Sequence, residues 1–153
     1  MNGPLIQILT GTLGTLGYAL VFHVRVKLLP AATMGGLVSW AVYLLIYFPT
    51  HNLFLASLIA AMAVYAWSEI MARLMKAPVT VFLLPGVIPL LPGSFLYYTT
   101  LALLNEDAVQ FKIQGLNTIA STMGIACGVV IASIVASYLI QSLEQIRKRR
   151  SGH

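Results

Sequence analysis

Pro85-Gly86-Val87-Ile88-Pro89-Leu90-Leu91-Pro92-Gly93 sets three prolines and two glycines within nine positions of an otherwise apolar run. Each interior proline removes a backbone donor and clashes with the preceding turn, at about 3 kcal/mol in a helix interior. No unbroken helix is expected across these residues. Yet the run they interrupt, Pro78 to Leu104, carries no charged side chain.

The rest of the chain explains that setting. Of 153 residues, 59% are hydrophobic and only 8% charged, and mean hydropathy is +0.88, whereas soluble domains average about 25% charged. Nine Lys/Arg and four Asp/Glu are too few to build a water-facing surface. The solvent is therefore lipid. The net charge of +5 does not indicate nucleic-acid binding, because the basic residues punctuate apolar runs and form no face. The single Cys127 allows no intrachain disulfide.

A hydrocarbon core of about 30 Å needs about 20 helical residues. Five runs approach or exceed that length: 4–24, 28–50, 53–75, 78–104 and 113–140. They predict an all-α, single-domain integral membrane protein over 1–153, with five transmembrane helices and a basic tail at 141–153. The first run lacks a positive amino-terminal region and a small-residue cleavage site before Arg25, so it reads as a span and not as a leader. Short polar joints separate the runs, the longest extending from Asn105 to Lys112. With the amino terminus outside, Arg25, Lys27, Arg73, Lys76, Arg147, Lys148, Arg149 and Arg150 share the cytoplasmic side and only Lys112 lies opposite. The positive-inside rule selects that orientation, with the carboxyl terminus cytoplasmic and its basic tail near anionic lipid.

In lipid, small residues at four-residue spacing mark faces where helix backbones approach closely. Ala120, Gly124, Gly128, Ala132 and Ala136 form such a row on the fifth run, and Gly3, Gly11, Thr15 and Ala19 one on the first. Gly124 and Gly128 are assigned to helix packing, within this subunit or against a second copy.

Counting from Pro78 at the cytoplasmic surface with a rise of 1.5 Å per residue, the chain reaches roughly 10 Å at Pro85 and roughly 22 Å at Gly93. The break thus straddles the bilayer midplane. Non-helical backbone is tolerated there only where protein or a water-lined cavity satisfies it. Secondary transporters place substrate sites at such breaks, with half-helix amino termini aimed at anionic groups. Pro85, Gly86, Pro89, Pro92, Gly93 and Ser94 are therefore candidate substrate-binding residues, with Ser94 expected to cap the outer half-helix. Tyr97 and Thr100 follow on that half-helix. Asn117 and Ser121 join them from the fifth run, on one helical face with Gly124. A leucine at Gly93 is expected to abolish transport and spare insertion.

Lys76-Ala77-Pro78-Val79-Thr80-Val81-Phe82, leading into Val87-Ile88-Pro89-Leu90-Leu91-Pro92-Gly93-Ser94 with Tyr97 beyond, resembles the signature of the threonine/serine exporter family. More closely it resembles the short membrane subunit of that family's split form, one member of which is linked to succinate export. Tyr18 to Lys27 resembles the end of the family's first helix, and Glu69 and Arg73 match a polar pair placed before the motif. The likeness runs from the first helix to the basic tail. It implies an exporter of small metabolites in a prokaryotic inner membrane, with a larger subunit of the same family supplying the other half of the core. The substrate stays open between hydroxy amino acids and a dicarboxylate.

Glu69 and Arg73, four residues apart in the favourable acidic-first order, are candidates for coupling or gating, against the plainer reading of an interfacial salt bridge. Trp40, Tyr43, Tyr47, Tyr65 and Trp67 read as core and interfacial belt. Enzyme chemistry has no foothold: there is no carboxylate pair at depth, no metal-ligand cluster, no nucleophile beside a base and no phosphate loop, so neither cofactor nor metal is expected. The sequence reading is thus one subunit of a secondary exporter of a small polar molecule, completed by that larger subunit or by self-association. A non-transporting membrane scaffold and a homo-oligomeric channel are the other classes consistent with it.

Overall fold

The computed structural model describes the backbone of residues 3–151 and the side chains of residues 6–142. Six α-helices follow one another, and no strand occurs among the described residues: α1 (Gly3–Val21), α2 (Leu29–Thr50), α3 (Leu53–Met75), α4 (Thr80–Val87), α5 (Gly93–Leu104) and α6 (Ala108–Ser151). One turn of 3₁₀ helix, Ile88–Leu90, separates α4 from α5.

Three helices are long and apolar enough to cross a membrane: α2, α3 and the Ala108–Ser142 part of α6. The pair α4–α5, bent by 49°, makes a fourth when counted as one span. The described apolar stretch of α1, Ile6–Val21, is shorter. These elements correspond to the five runs read from the sequence, with two shifts in their ends. The polar joint expected over 105–112 stops at Asp107, whose Oδ1 accepts from the amides of Val109 and Gln110 at 3.1 and 3.0 Å and so starts α6 early. The tail expected at 141–153 continues α6 to Ser151, and residues 152 and 153 lie outside the described residues.

Three tight turns join the first four helices. Asn52 caps α3 through Leu55, its Oδ1 accepting at 3.1 Å. At the ends of α1 and α3, His23 and Lys76 adopt left-handed φ values of 53° and 52°. The amides of the following residues, Val24 and Ala77, reach back to the carbonyls of Ala19 and Ala72, both at 3.0 Å. This is the six-to-one bond of a glycine-type helix stop, here carried by basic residues.

The core is built from small side chains. Ala19, Ala32, Ala56, Ala60, Ala61, Ser39 and Ser68 are fully enclosed, and the largest fully buried side chain is Phe82 of α4. The most extensive interface joins α3 and α6. There, a Cβ added at Gly124 would stand 2.5 Å from the Phe54 carbonyl oxygen, and one at Gly128 would collide with the Leu58 carbonyl and lie 2.9 Å from Ala61 Cβ. Both glycines are therefore occupied inside this subunit. On the other side of α2, Gly36 faces Thr15 of α1 so closely that no β-carbon fits. Trp67 ties α3 to α2, its Nε1 donating to the Ala31 carbonyl at 3.0 Å.

The same substitution at two glycines should have opposite signs. Gly128→Ala overpacks the α3–α6 contact and is expected to cost about 1–3 kcal/mol. Gly14→Ala meets nothing within 4 Å and should stabilise by about 0.5–1 kcal/mol through helix propensity. Thermal unfolding of the purified chain in micelles checks both.

Candidate functional site

The three prolines of the motif do different things. Pro85 lies inside α4, where Phe82, Pro85 and Gly86 are buried, and Pro89 fits the 3₁₀ turn that begins at Ile88. α4 ends at Val87, the 3₁₀ turn carries the chain to Leu90, and Pro92 ends the helical run altogether. It forces Leu91 into an extended conformation, φ −60° and ψ 131°, and the chain restarts at Gly93. No unbroken helix crosses the nine residues: α4 gives way to the 3₁₀ turn at Ile88, and the chain becomes extended at Leu91. Ser94 differs from expectation: α5 has no side-chain cap, and its N-cap position is Pro92. Gly93 is exposed, and a Cβ there meets nothing within 4 Å, which removes the steric ground for a leucine at that position abolishing transport.

The crowded glycine of the motif is Gly86. A Cβ there would stand 2.5 Å from Val64 Cγ2 and 3.4 Å from the Gly35 carbonyl carbon. Gly35 and Gly86 let α2 and α4 cross at backbone contact, with Val64 and Phe82 fully buried beside them.

This crossing stands between two cavities. At the end of the bundle where α1 and α3 stop, Pro85 lines a cavity of about 630 Å³. Beyond the crossing, a cavity of about 60 Å³ lies against the break itself, lined by Pro89, Leu90, Leu91, Pro92, Ser94 and Phe95 together with Trp40, Tyr43, Ser57 and Ser121. At 10–15 Å³ per water it holds about four waters, or one carboxylate.

The chemistry of the smaller cavity is unusual for a membrane core. Among the described residues, four buried side-chain polar atoms have no hydrogen-bond partner: Trp40 Nε1, Ser57 Oγ, Ser121 Oγ and Gln114 Oε1. Three of the four line this one cavity. Ser57 is 1% and Ser121 3% exposed, so both hydroxyls are buried within the bundle. An unpaired buried group costs about 1–3 kcal/mol, and such groups are few in native structures. The other buried hydroxyls are bonded within their helices: Thr15 to the Gly11 carbonyl at 2.9 Å, Ser39 to Gly36 at 3.0 Å and Ser68 to Val64 at 2.7 Å.

Trp40 only donates, and a serine hydroxyl donates or accepts. At the positive end of the twelve-residue α5, the Gly93 amide donates to the Leu91 carbonyl at 2.8 Å and the Leu96 amide to the Pro92 carbonyl at 3.0 Å, which leaves the amides of Ser94 and Phe95 as further donors. No charged side chain lines the cavity. A cluster of donors without a cation suits one carboxylate, held by neutral dipoles. Trp40, Tyr43, Tyr47 and His51 continue from it as a ladder of rings along α2, with centroids 5.1, 5.7 and 5.9 Å apart. Trp40 and Pro89 also face a recess of about 140 Å³ beside Gln7, Thr10 and Gly11 of α1.

Of the residues assigned from sequence, Pro89, Pro92, Ser94 and Ser121 meet at this cavity, and Pro85 lines the larger one. Tyr97 is 63% exposed and Thr100 spends its hydroxyl on the Leu96 carbonyl at 3.0 Å. Neither lines a cavity described here, and nor does Asn117. Glu69 and Arg73 pair at 2.8 Å, with side chains 19% and 52% exposed, away from both cavities. Trp40, Tyr43 and Ser57 complete the site but read from sequence as belt or as ordinary helix. For Ser57, the available signal is a lone hydroxyl amid Ala56, Ala60 and Ala61.

Compared with known proteins, residues 7–135 match the family described as Threonine/Serine exporter, ThrE. No curated protein and no solved structure matches the chain.

Two tryptophans separate site from scaffold. Trp40→Phe and Ser121→Ala remove no hydrogen bond and should leave stability within about 1 kcal/mol of wild type. Trp67→Phe breaks the α3–α2 bond and should cost about 0.5–1.5 kcal/mol. Melting of the three variants in micelles tests the assignment.

Proposed function

This chain belongs to the threonine/serine exporter family, and from that premise we propose that it forms one membrane-embedded part of a secondary exporter whose cargo passes through the interrupted α4–α5 span. In this reading α1, α2, α3, α4–α5 and α6 are five spans of a prokaryotic plasma membrane, with the amino terminus outside and the carboxyl terminus cytoplasmic. The convergence of three unpartnered polar atoms on the break carries the proposal.

Trp40 Nε1–H, the hydroxyls of Ser57 and Ser121, and the leading amides of α5 together present donors to a carboxylate. Burying these donors unpaired is costly, and pairing them with a substrate relieves that cost at the moment of binding. The site therefore favours the loaded state through its own scaffold. A single carboxylate fits a cavity of about 60 Å³ without cations, which favours a zwitterionic hydroxy amino acid over a dicarboxylate. The Gly35–Gly86 crossing is the barrier between this cavity and the wider one at the cytoplasmic end, and export needs that contact to open.

The site is one-sided. Tyr97 and Thr100 lie on the chain's surface, where a larger subunit of the same family would meet them and close the path. Glu69, held by Arg73, is the acidic group available for coupling within the spans, its pairing broken on protonation.

Efflux of labelled threonine, serine and succinate from cells expressing the chain with and without the larger subunit tests this reading. Saturable efflux of the hydroxy amino acids is expected, collapsing when the ion gradient is dissipated. Trp40→Phe combined with Ser121→Ala should lower it about tenfold or more, the worth of one or two hydrogen bonds to a charged group. Efflux indifferent to the gradient indicates a channel; background efflux in every combination indicates a scaffold and overturns the proposal.

A further inference from the structure

The larger cavity has a chemistry of its own that export of a zwitterion does not use. It is enclosed by the turn after α1, the turn after α3 and the first two turns of α4, and His23, Arg25 and Lys76 line it together. No carboxylate lines it, and the one ion pair among the described residues, Glu69–Arg73, lies elsewhere. Neither Arg25 nor Lys76 makes a side-chain hydrogen bond among the described residues. Two cations, Arg25 and Lys76, thus border about 630 Å³ with no carboxylate lining it, and the His23 imidazole lies beside them.

Rigid backbone puts them there. His23 and Lys76 are the left-handed stop residues of α1 and α3, each fixed by the back-reaching amide of the next residue. Arg25 follows in the same turn, and its carbonyl accepts from Leu28 at 2.8 Å. Much of the remaining lining is apolar, with Phe22, Leu28, Val81 and Leu84, and Thr80 adds a hydroxyl. Phe22 and Leu84 stay about half exposed. A guanidinium and an ammonium at helix-end level beside an apolar lining match a phosphate carried on an apolar body.

We propose that this cavity is an anion site in which Arg25 and Lys76 bind a phosphate group, supplied by the head of an anionic phospholipid or by a soluble phosphate. The apolar lining would seat the first carbons of the lipid chain. The inference rests on the charge and shape of this cavity and stands apart from the identity of the exported molecule.

Full-length protein in micelles is exchanged with phosphatidylglycerol and phosphatidylcholine at equal mole fraction, and the retained lipid is measured by native mass spectrometry. Wild type is expected to prefer phosphatidylglycerol by about thirtyfold, from roughly 1 kcal/mol for each of Arg25 and Lys76. R25Q/K76Q should abolish the preference, and R73Q/K112Q, which removes the same charge elsewhere, should keep it. Thr80→Glu places a carboxylate at the cavity edge where a helix start tolerates it, and should abolish the preference with an unchanged melting temperature. If inorganic phosphate displaces the lipid where chloride at equal ionic strength does not, the source includes soluble phosphate; if both displace it alike, the source is the lipid. Equal retention of both lipids by wild type, or a preference that survives both R25Q/K76Q and Thr80→Glu, overturns the proposal.

Discussion

Hydrocarbon offers no partner to a backbone amide or carbonyl, and that constraint governs the molecule. A helix may break within a membrane protein only where other protein surrounds the break. The α4–α5 interruption is accordingly backed by α1, α2, α3 and α6, which bury Leu90 and leave Leu91, Gly93 and Ser94 exposed on the other side, and the close packing around it rests on faces of glycine, alanine and serine. Gly35 against Gly86, Gly36 against Thr15, and Gly124 and Gly128 against α3 bring backbones together at distances that no larger side chain permits. Close approach is the cohesive force available here, since lipid supplies no hydrophobic drive between helices.

Function enters through what this packing leaves unsatisfied. Most hydroxyls of the bundle are turned back on their own helices and are silent. Ser57 and Ser121 are buried as deeply and bonded to nothing, and both face the restart of the chain after Pro92. These unpartnered groups beside the start of α5 are the observation on which the proposed carboxylate site rests. The basic cavity beyond the Gly35–Gly86 crossing is a different environment, cationic and partly apolar, at the level where helices end. One bundle thus carries two cavities of unlike lining on either side of one glycine contact.

Much of this was legible in the residues. Charge scarcity required lipid, run lengths marked the helices, and the proline-glycine stretch located the interruption to within a few positions. The role of each proline was not legible. Pro85 sits inside α4, and Pro89 sits in the 3₁₀ turn that follows the end of α4 at Val87. Pro92 breaks the helical run through its effect on Leu91. Asp107 was read as part of a loop, yet as a cap it extends α6 backwards by five residues relative to the expected start at 113.

The sequence by itself determined the solvent, the helical class, the small-residue faces and the neighbourhood of the break, since composition and local sterics act on each residue regardless of its distant neighbours. It could not determine which glycine is crowded or which hydroxyl is stranded. Gly93 and Gly86 look alike in one dimension, and so do Ser57 and Ser68. Tertiary packing decided between them, because crowding and unmet hydrogen bonds depend on what another helix places opposite: Val64 and Gly35 against Gly86, open space beside Gly93, and for Ser57 a cavity shared with Trp40 and Ser121.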